Sequence, residues 1–253
     1  MNDIKLCFVS DIHYKNYTNR LKQHALKCFI DSKLSEHEVH YYVSSNRPED
    51  FNDVNSPNVK VFNINELRQD TDSLIYELLP ENPKGLYPAL YPWNLERFII
   101  KKAAQDGFNY IINLDADVKF MYYHNNLIND FLRVYEKNTV STNQAIFSYK
   151  NRSPNEVFHL HDKYIKHFGF NFNEEDLNAP DGPVVSIMGD CKDIINFVNN
   201  WDMLTIFGYK KEFGFGYDTT VCGNWSLAIP MSNFKLKWKE YPLYPDHKYE
   251  DRQ

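Results

Sequence analysis

No run of about 18 apolar residues occurs in this chain, so no helix of it is expected to cross a membrane. The opening Met1-Asn2-Asp3-Ile4-Lys5 has no secretory pattern and runs straight into a strand-like stretch. Cations are scarce: 28 Lys and Arg stand against 34 Asp and Glu, a net charge of −6, with no basic tail or stripe. Nucleic-acid binding needs clustered cations to neutralise phosphates, so that class is disfavoured. Cysteine occurs only at 7, 28, 191 and 222, with no CxxC and no Cys/His metal spacing. Buried, reduced thiols in an intracellular protein are the simplest expectation. Repeats, low-complexity tracts and linkers are also missing. The 253 residues therefore read as one domain.

What is there suffices for a sizeable core: 43% of residues are hydrophobic and 16% aromatic. The aromatics suit sugar-stacking surfaces and an aromatic-rich core alike. Ile4–Ser10, Glu38–Ser44 and Val59–Ile64 read as strands, the first a continuous apolar run of the kind buried in parallel sheets. Between the first two, Asp11–Asn19 reads as loop and Arg20–Leu34 as a helix. A helix over Trp93–Gln105 precedes a strand over Phe108–Leu114, and Val118–Tyr123 is again apolar. Further helices are predicted over Asp72–Leu79, Asn126–Glu136, Asn155–Phe168, Lys192–Leu204 and Asp218–Ile229. Further strands are predicted over Thr139–Tyr149, Pro183–Met188 and Phe234–Trp238. The last carries Lys-Leu-Lys-Trp-Lys from Lys235 to Lys239, as a solvated edge strand would. The order predicts an α/β fold with a mostly parallel sheet flanked by helices.

Asn113-Leu114-Asp115-Ala116-Asp117 closes the apolar strand with two carboxylates one residue apart. On a strand, residues so spaced share a face. Two converging hard oxygen ligands suit Mg²⁺ or Mn²⁺ that also holds a diphosphate. A solvated turn in which Asp caps the next element would carry the same letters.

This stretch resembles the DxD signature of nucleotide-sugar-dependent glycosyltransferases of the GT-A fold. From Arg97 to Phe120 the pattern is most similar to the blood-group-type galactosyl/N-acetylgalactosaminyltransferase family. The resemblance implies a single catalytic domain, with residues 1–120 as the donor half and 121–253 as the acceptor half. It also implies Mn²⁺ or Mg²⁺ on Asp115 and Asp117, a nucleotide-sugar donor, and a glycan or other hydroxyl acceptor. The absent membrane anchor points to a soluble microbial, viral or phage member, acting in the cytoplasm, or in the host cytoplasm if viral, or else to an excised catalytic domain.

Further site residues follow from the resemblance. The loop Ser10–Asn16 after the first strand would hold the nucleoside through Asp11, His13 or Tyr14. Arg97 would reach the diphosphate, while Lys101 and Lys102 face solvent. Gly189, after the strand framed by Asp181-Gly182, would let the donor sugar approach the backbone, with Asp190 gripping its hydroxyls. Asp218, some 100 residues past the Asp pair, matches the place of a catalytic carboxylate. Where the blood-group-type family reads Asp-Glu-Ser, this chain reads Asp218-Thr219-Thr220, so the Glu proposed there as nucleophile is missing. Asp218 is then a general base, or simply a helix cap. His247 would complete the metal shell, or is a solvated tail residue.

Two alternatives compete. A non-catalytic carbohydrate-binding module would use the aromatics but leaves the Asp pair unexplained. A metallophosphoesterase-like hydrolase would match Asp11-Ile12-His13 and Gly189-Asp190. That family's Gly-Asn-His block is absent, since Trp225 follows Gly223-Asn224. Donor sugar, base, acceptor, anomeric outcome and oligomeric state are not legible in the sequence.

Overall fold

The computed structural model describes residues 4–12, 15–32, 38–71, 95–116, 118–120, 127–138, 144–152, 169, 179–209, 221–238 and 245–246. Seven strands form the main sheet, in the order β3-β2-β1-β4-β7-β6-β8. They are β1 (Lys5–Ile12), β2 (Glu38–Ser45), β3 (Val59–Asn63), β4 (Tyr110–Leu114), β6 (Ala145–Arg152), β7 (Ala179–Met188) and β8 (Lys235–Trp238). β3, β2, β1 and β4 run parallel, β7 opposes both its neighbours, and β8 is parallel to β6. The expected mixed, mostly parallel sheet is thus observed. β5 (Lys119–Phe120) and β9 (Pro245–Asp246) form a separate antiparallel pair.

Each sheet face carries its own core, because the strands alternate. On one face Phe8, Tyr41, Tyr110 and Ile112 meet Leu21, Leu26, Phe29, Ile128 and Phe131. Those side chains come from α1 (Lys15–Gln23), α2 (Ala25–Asp31) and α5 (Leu127–Asn138). On the other face Cys7, Val9, Tyr42 and Ile111 meet α4 (Glu96–Gln105), α6 (Cys191–Tyr209) and α7 (Val221–Met231). There Trp201 and Trp225 pack edge to face, centroids 4.8 Å apart at 72°. Such a pair contributes about 1 kcal/mol beyond its buried area.

Local signals explain several element ends. Asn63 caps α3 (Ile64–Asp70), its side chain accepting from the Asn65 N–H at 3.0 Å. α4 ends in a Schellman turn: Phe108 N–H bonds Ala103 O and Gly107 N–H bonds Ala104 O, both at 3.1 Å. Gly107 sits there at φ +96, a conformation that a side chain would disfavour. The turn aims the chain into β4.

Three expectations shift. The single helix over Arg20–Leu34 is two helices, because His24 leaves the helical region at φ −117, ψ −91. The loop over Asp11–Asn19 is instead the end of β1 and the start of α1, with only residues 13 and 14 between them. β7 begins at Ala179, earlier than the predicted Pro183. β8 closes the sheet as its outer strand, matching the edge-strand reading of Lys235–Trp238. The helices predicted over Asp72–Leu79 and Asn155–Phe168 lie outside the described residues.

Candidate active site

The sheet order reverses between β1 and β4. From β1 the chain moves outward to β2 and β3, then returns to the other side of β1 as β4. In open α/β sheets ligands collect at such a switch point, beyond the carboxyl ends of the strands. Here those ends are Asp11-Ile12 and Leu114-Asp115.

The edge is unusually polar for the interior of a sheet. Ser10, Ser44, Ser45 and Asn113 are all buried there. Ser10 Oγ donates to Leu114 O at 2.7 Å and lies 2.9 Å from Tyr41 Oη, fastening β1 to β4. Asp11 stands opposite Ser44 in the register, and the Ser44 hydroxyl donates to the Asp11 carboxylate. That bond fixes one carboxylate oxygen of Asp11.

Val9 pairs with Asn113 across β1 and β4. Asp11 and Asp115 lie two residues beyond that pair, Asp11 within β1 and Asp115 just past the end of β4, two strands spaced about 4.8 Å apart. Glu96, in the first turn of α4, joins them from the helix side. Its carboxylate accepts from Asn113 Nδ2. Burial pushes Glu96 well above the usual carboxylate range, and the neighbouring Asp115 charge adds to the rise. The Asn113 bond opposes this, Asp11 raises it further and Arg97 lowers it. Three carboxylates, Asp11, Glu96 and Asp115, thus share one electrostatic neighbourhood. Sequence reading overlooked Glu96; the available signal was an acid in the first turn of the helix that leads into the Asp pair.

β4 ends at Leu114, so Asp115 is past the strand, and a backbone bond from Val118 N–H to Asp115 O at 3.0 Å turns the chain. The strand-alternation argument therefore stops one residue short of the pair. Asp117 lies outside the described residues, as do His13, Tyr14, Asp218 and His247. Two of these have informative neighbours. β9 pairs with β5 so that Asp246 faces Lys119, two residues past Asp117, and His247 is the next residue after Asp246. α7 starts at Val221, three residues beyond Asp218, so the helix begins later than predicted.

The structure moves other predicted residues away. Gly189 and Asp190 follow β7, which is antiparallel to β4: Val184 pairs with Leu114 and Met188 with Tyr110. They therefore lie beyond the amino end of β4, the edge opposite Asp115 and about 20 Å off along the strand. The hydrogen of Gly189 has a packing role, since a Cβ there would come within 3.1 Å of the Phe234 ring. Asp190 is exposed, and its carbonyl accepts the Asp193 and Ile194 N–H groups at the start of α6. The direction of the strand sets both residues at the end of the sheet away from Asp115.

Arg97 is fully buried, and its Nε pairs with Asp202 of α6. Its guanidinium also lies 4.6 Å from the Phe98 ring centroid. A buried guanidinium requires a charged partner in the core, so Arg97 joins α4 to α6 where a diphosphate contact was expected. Lys101 is buried, not solvent-facing, and Lys102 pairs with Asp106 at 3.0 Å.

A divalent cation fits this donor set in one specific way. Among the described residues no group of three or more His, Cys, Asp or Glu side chains could hold a metal by itself. Mg²⁺ and similar ions, however, bind at one or two carboxylates plus substrate phosphates, keeping waters. Asp115, half-buried at the end of β4, is a carboxylate of that kind.

No family model matches the chain, and no curated protein matches it. Solved structures do. Mouse xyloside xylosyltransferase 1, in its apo form, superposes with a TM-score of 0.51 at 11% identity, over 93% of this chain and 85% of that one. Core-mannan synthase A (CmsA/Ktr4) from Aspergillus fumigatus, in an Mn/GDP form, gives 0.53 at 10% identity, over 94% of this chain and 73% of that one. At such identities the likeness is one of fold: the chain has the GT-A architecture of these glycosyltransferases.

Proposed function

We propose that this protein is a metal-dependent glycosyltransferase, moving a sugar from a nucleotide-diphosphate sugar to an acceptor hydroxyl. The observation that carries the reading is the carboxylate cluster of Asp115, Glu96 and Asp11 at the switch point of the sheet. The fold shared with glycosyltransferases supports it, and so does the Mn/GDP form of one of them. A carbohydrate-binding module has no need of this cluster.

In this reading residues 1–120 hold the donor and 121–253 the acceptor. Asp115 and Asp117 hold Mn²⁺ or Mg²⁺, with His247, the residue that follows β9 in the chain, as a further ligand. An ion held there would supply charge neutralisation to the leaving diphosphate. Asp11, positioned by Ser44, accepts hydroxyl or amide donors of the nucleoside, with His13 and Tyr14 following it in the chain. Glu96 and Asn113 hold the floor beneath Asp115. Asp218 takes the acceptor proton as general base, which suits an inverting transfer because the family nucleophile is missing.

The stretch from Arg97 to Phe120 keeps the blood-group-type enzymes as the nearest pattern. The two differ in the use of Arg97. No helix among the described residues is long and apolar enough to cross a membrane; we assign the activity to the cytoplasm. The test is donor hydrolysis: a panel of nucleotide sugars with Mn²⁺ should yield slow release of the nucleoside diphosphate from at least one donor. Release unaffected by EDTA would refute the metal role, and no release or transfer from any donor would favour the binding-module reading.

A further inference from the structure

A groove of about 450 Å³ opens on the α4 face, toward the amino ends of the strands. β2 supplies Glu38 and Tyr42 to it, β3 supplies Lys60 and Phe62, and the end of α4 supplies Lys102 and Asp106. Six residues separate Glu38 from Ser44, the partner of Asp11, a span of about 20 Å along β2. A single sugar ring cannot touch both places. The groove exists because α4 packs on β1, β2 and β4, while α3 follows directly from the far end of the outer strand β3. Among the described residues, Lys102 and Asp106 at the end of α4 face Lys60 and Phe62 of β3 across the groove.

Its walls alternate donors and acceptors. Tyr42 Oη donates to Asp106 Oδ2 at 2.9 Å and accepts from Lys60 Nζ at 3.3 Å. Lys102 Nζ donates to Asp106 Oδ1 at 3.0 Å, and Lys5 pairs with Glu38 at 2.9 Å on the rim. Phe62 contributes a partly exposed ring. His40 lies between Glu38 and Tyr42 on the same face of β2, its ring 5.4 Å from Phe108 at the groove's base. Its Nδ1 is buried and has no hydrogen-bond partner among the described residues.

This chemistry selects a ligand class. An anion would meet Glu38 and Asp106, and a cation would meet Lys60 and Lys102. An apolar molecule would strip water from all four charges. A sugar avoids each cost: it is neutral, its hydroxyls both donate and accept, and its C–H face suits the Phe62 ring. The size is that of a small-molecule site. We propose that this groove is a second carbohydrate site, holding one neutral sugar unit away from the switch-point edge. The inference rests on the groove's own side chains and stands whether or not the chain transfers sugars.

The test uses the full chain, labelled with ¹⁵N and titrated with maltotriose, mannotriose and xylotriose, and separately with inorganic phosphate. At least one trisaccharide should shift the amides of residues 38–42, 60–62 and 102–108, and phosphate should not. Lys60→Met and Phe62→Ala should each weaken that binding about fivefold, as expected for losing one hydrogen bond or ring contact. Donor hydrolysis should keep its wild-type rate in both variants. Lys60 is exposed, so its variant reports even if Phe62→Ala folds poorly. The proposal is overturned if no trisaccharide moves these amides at tens of millimolar. Stronger shifts by phosphate, or wild-type sugar affinity in Lys60→Met, overturn it equally.

Discussion

The side-chain amide of Asn113 donates to the carboxylate of Glu96, joining the end of β4 to the first turn of α4, two residues before Asp115. Neither residue had a role in the sequence reading. Together they set the electrostatics of the candidate site, because the Glu96 carboxylate feels the charges of Asp115 and Asp11.

This arrangement makes a pH prediction. The folded state holds the Glu96 pKa above its unfolded value, by burial first and Asp115 second. The native state then binds more protons than the unfolded one between the two pKa values. Stability from this group is fully present below the unfolded pKa, about 4.3, and is lost as pH rises through the folded value. Glu96→Gln should flatten that decline. Urea midpoints taken across the pH range should converge for the two proteins in acid and favour the variant at higher pH. A variant that tracks wild type at every pH would remove the coupling.

Metal dependence is the second prediction. Asp115→Asn and Asp117→Ala should each abolish Mn²⁺-dependent nucleotide binding, with far-UV circular dichroism unchanged. Calorimetry with a nucleoside diphosphate, with and without Mn²⁺, measures this. Equal affinity in both conditions for the wild-type chain would contradict it.

Arg97 separates a core role from a donor role. Arg97→Met leaves the buried carboxylate of Asp202 without its guanidinium, a loss of about 3–5 kcal/mol. The Arg97→Met/Asp202→Leu double variant should recover much of that stability, since two apolar groups replace a buried pair. Denaturant unfolding decides it. If the single variant keeps its stability but loses donor affinity, Arg97 belongs to the site instead.

Gly189 offers a similar contrast. Gly189→Ala places a Cβ 3.1 Å from Cζ of Phe234, a ring held in the core. Overpacking of this kind costs about 1–3 kcal/mol. Donor affinity should be unaffected, because the residue sits at the opposite edge of the sheet. A large rise in donor KM with normal stability would restore the sequence-based reading.

Asp218→Asn should lower kcat on the order of 10²-fold or more with donor affinity nearly unchanged, as loss of a general base does. Product configuration, read by NMR, distinguishes inversion from retention. Wild-type turnover would leave Asp218 without a catalytic part.

The strands β1, β2, β3 and β4 and the helix α4 were legible because their signals are local. Continuous apolar runs and a helical apolar stripe lie in consecutive residues, and physical chemistry acts on them before any long-range contact forms. The Asp115 end of β4 was legible for the same reason. Direction and partnership were not. Whether β7 runs with β4 or against it is not written in its own residues, and its antiparallel direction carried Gly189 and Asp190 to the far end of the sheet. Arg97 reads as a helix-face cation until Asp202, 105 residues later, meets it in the core. The β5–β9 pairing joins residues more than a hundred positions apart. Sequence by itself determined the elements and the carboxylates that end them. Only the tertiary structure decided which charges face a ligand and which face each other, because a buried charge takes whatever partner the fold supplies.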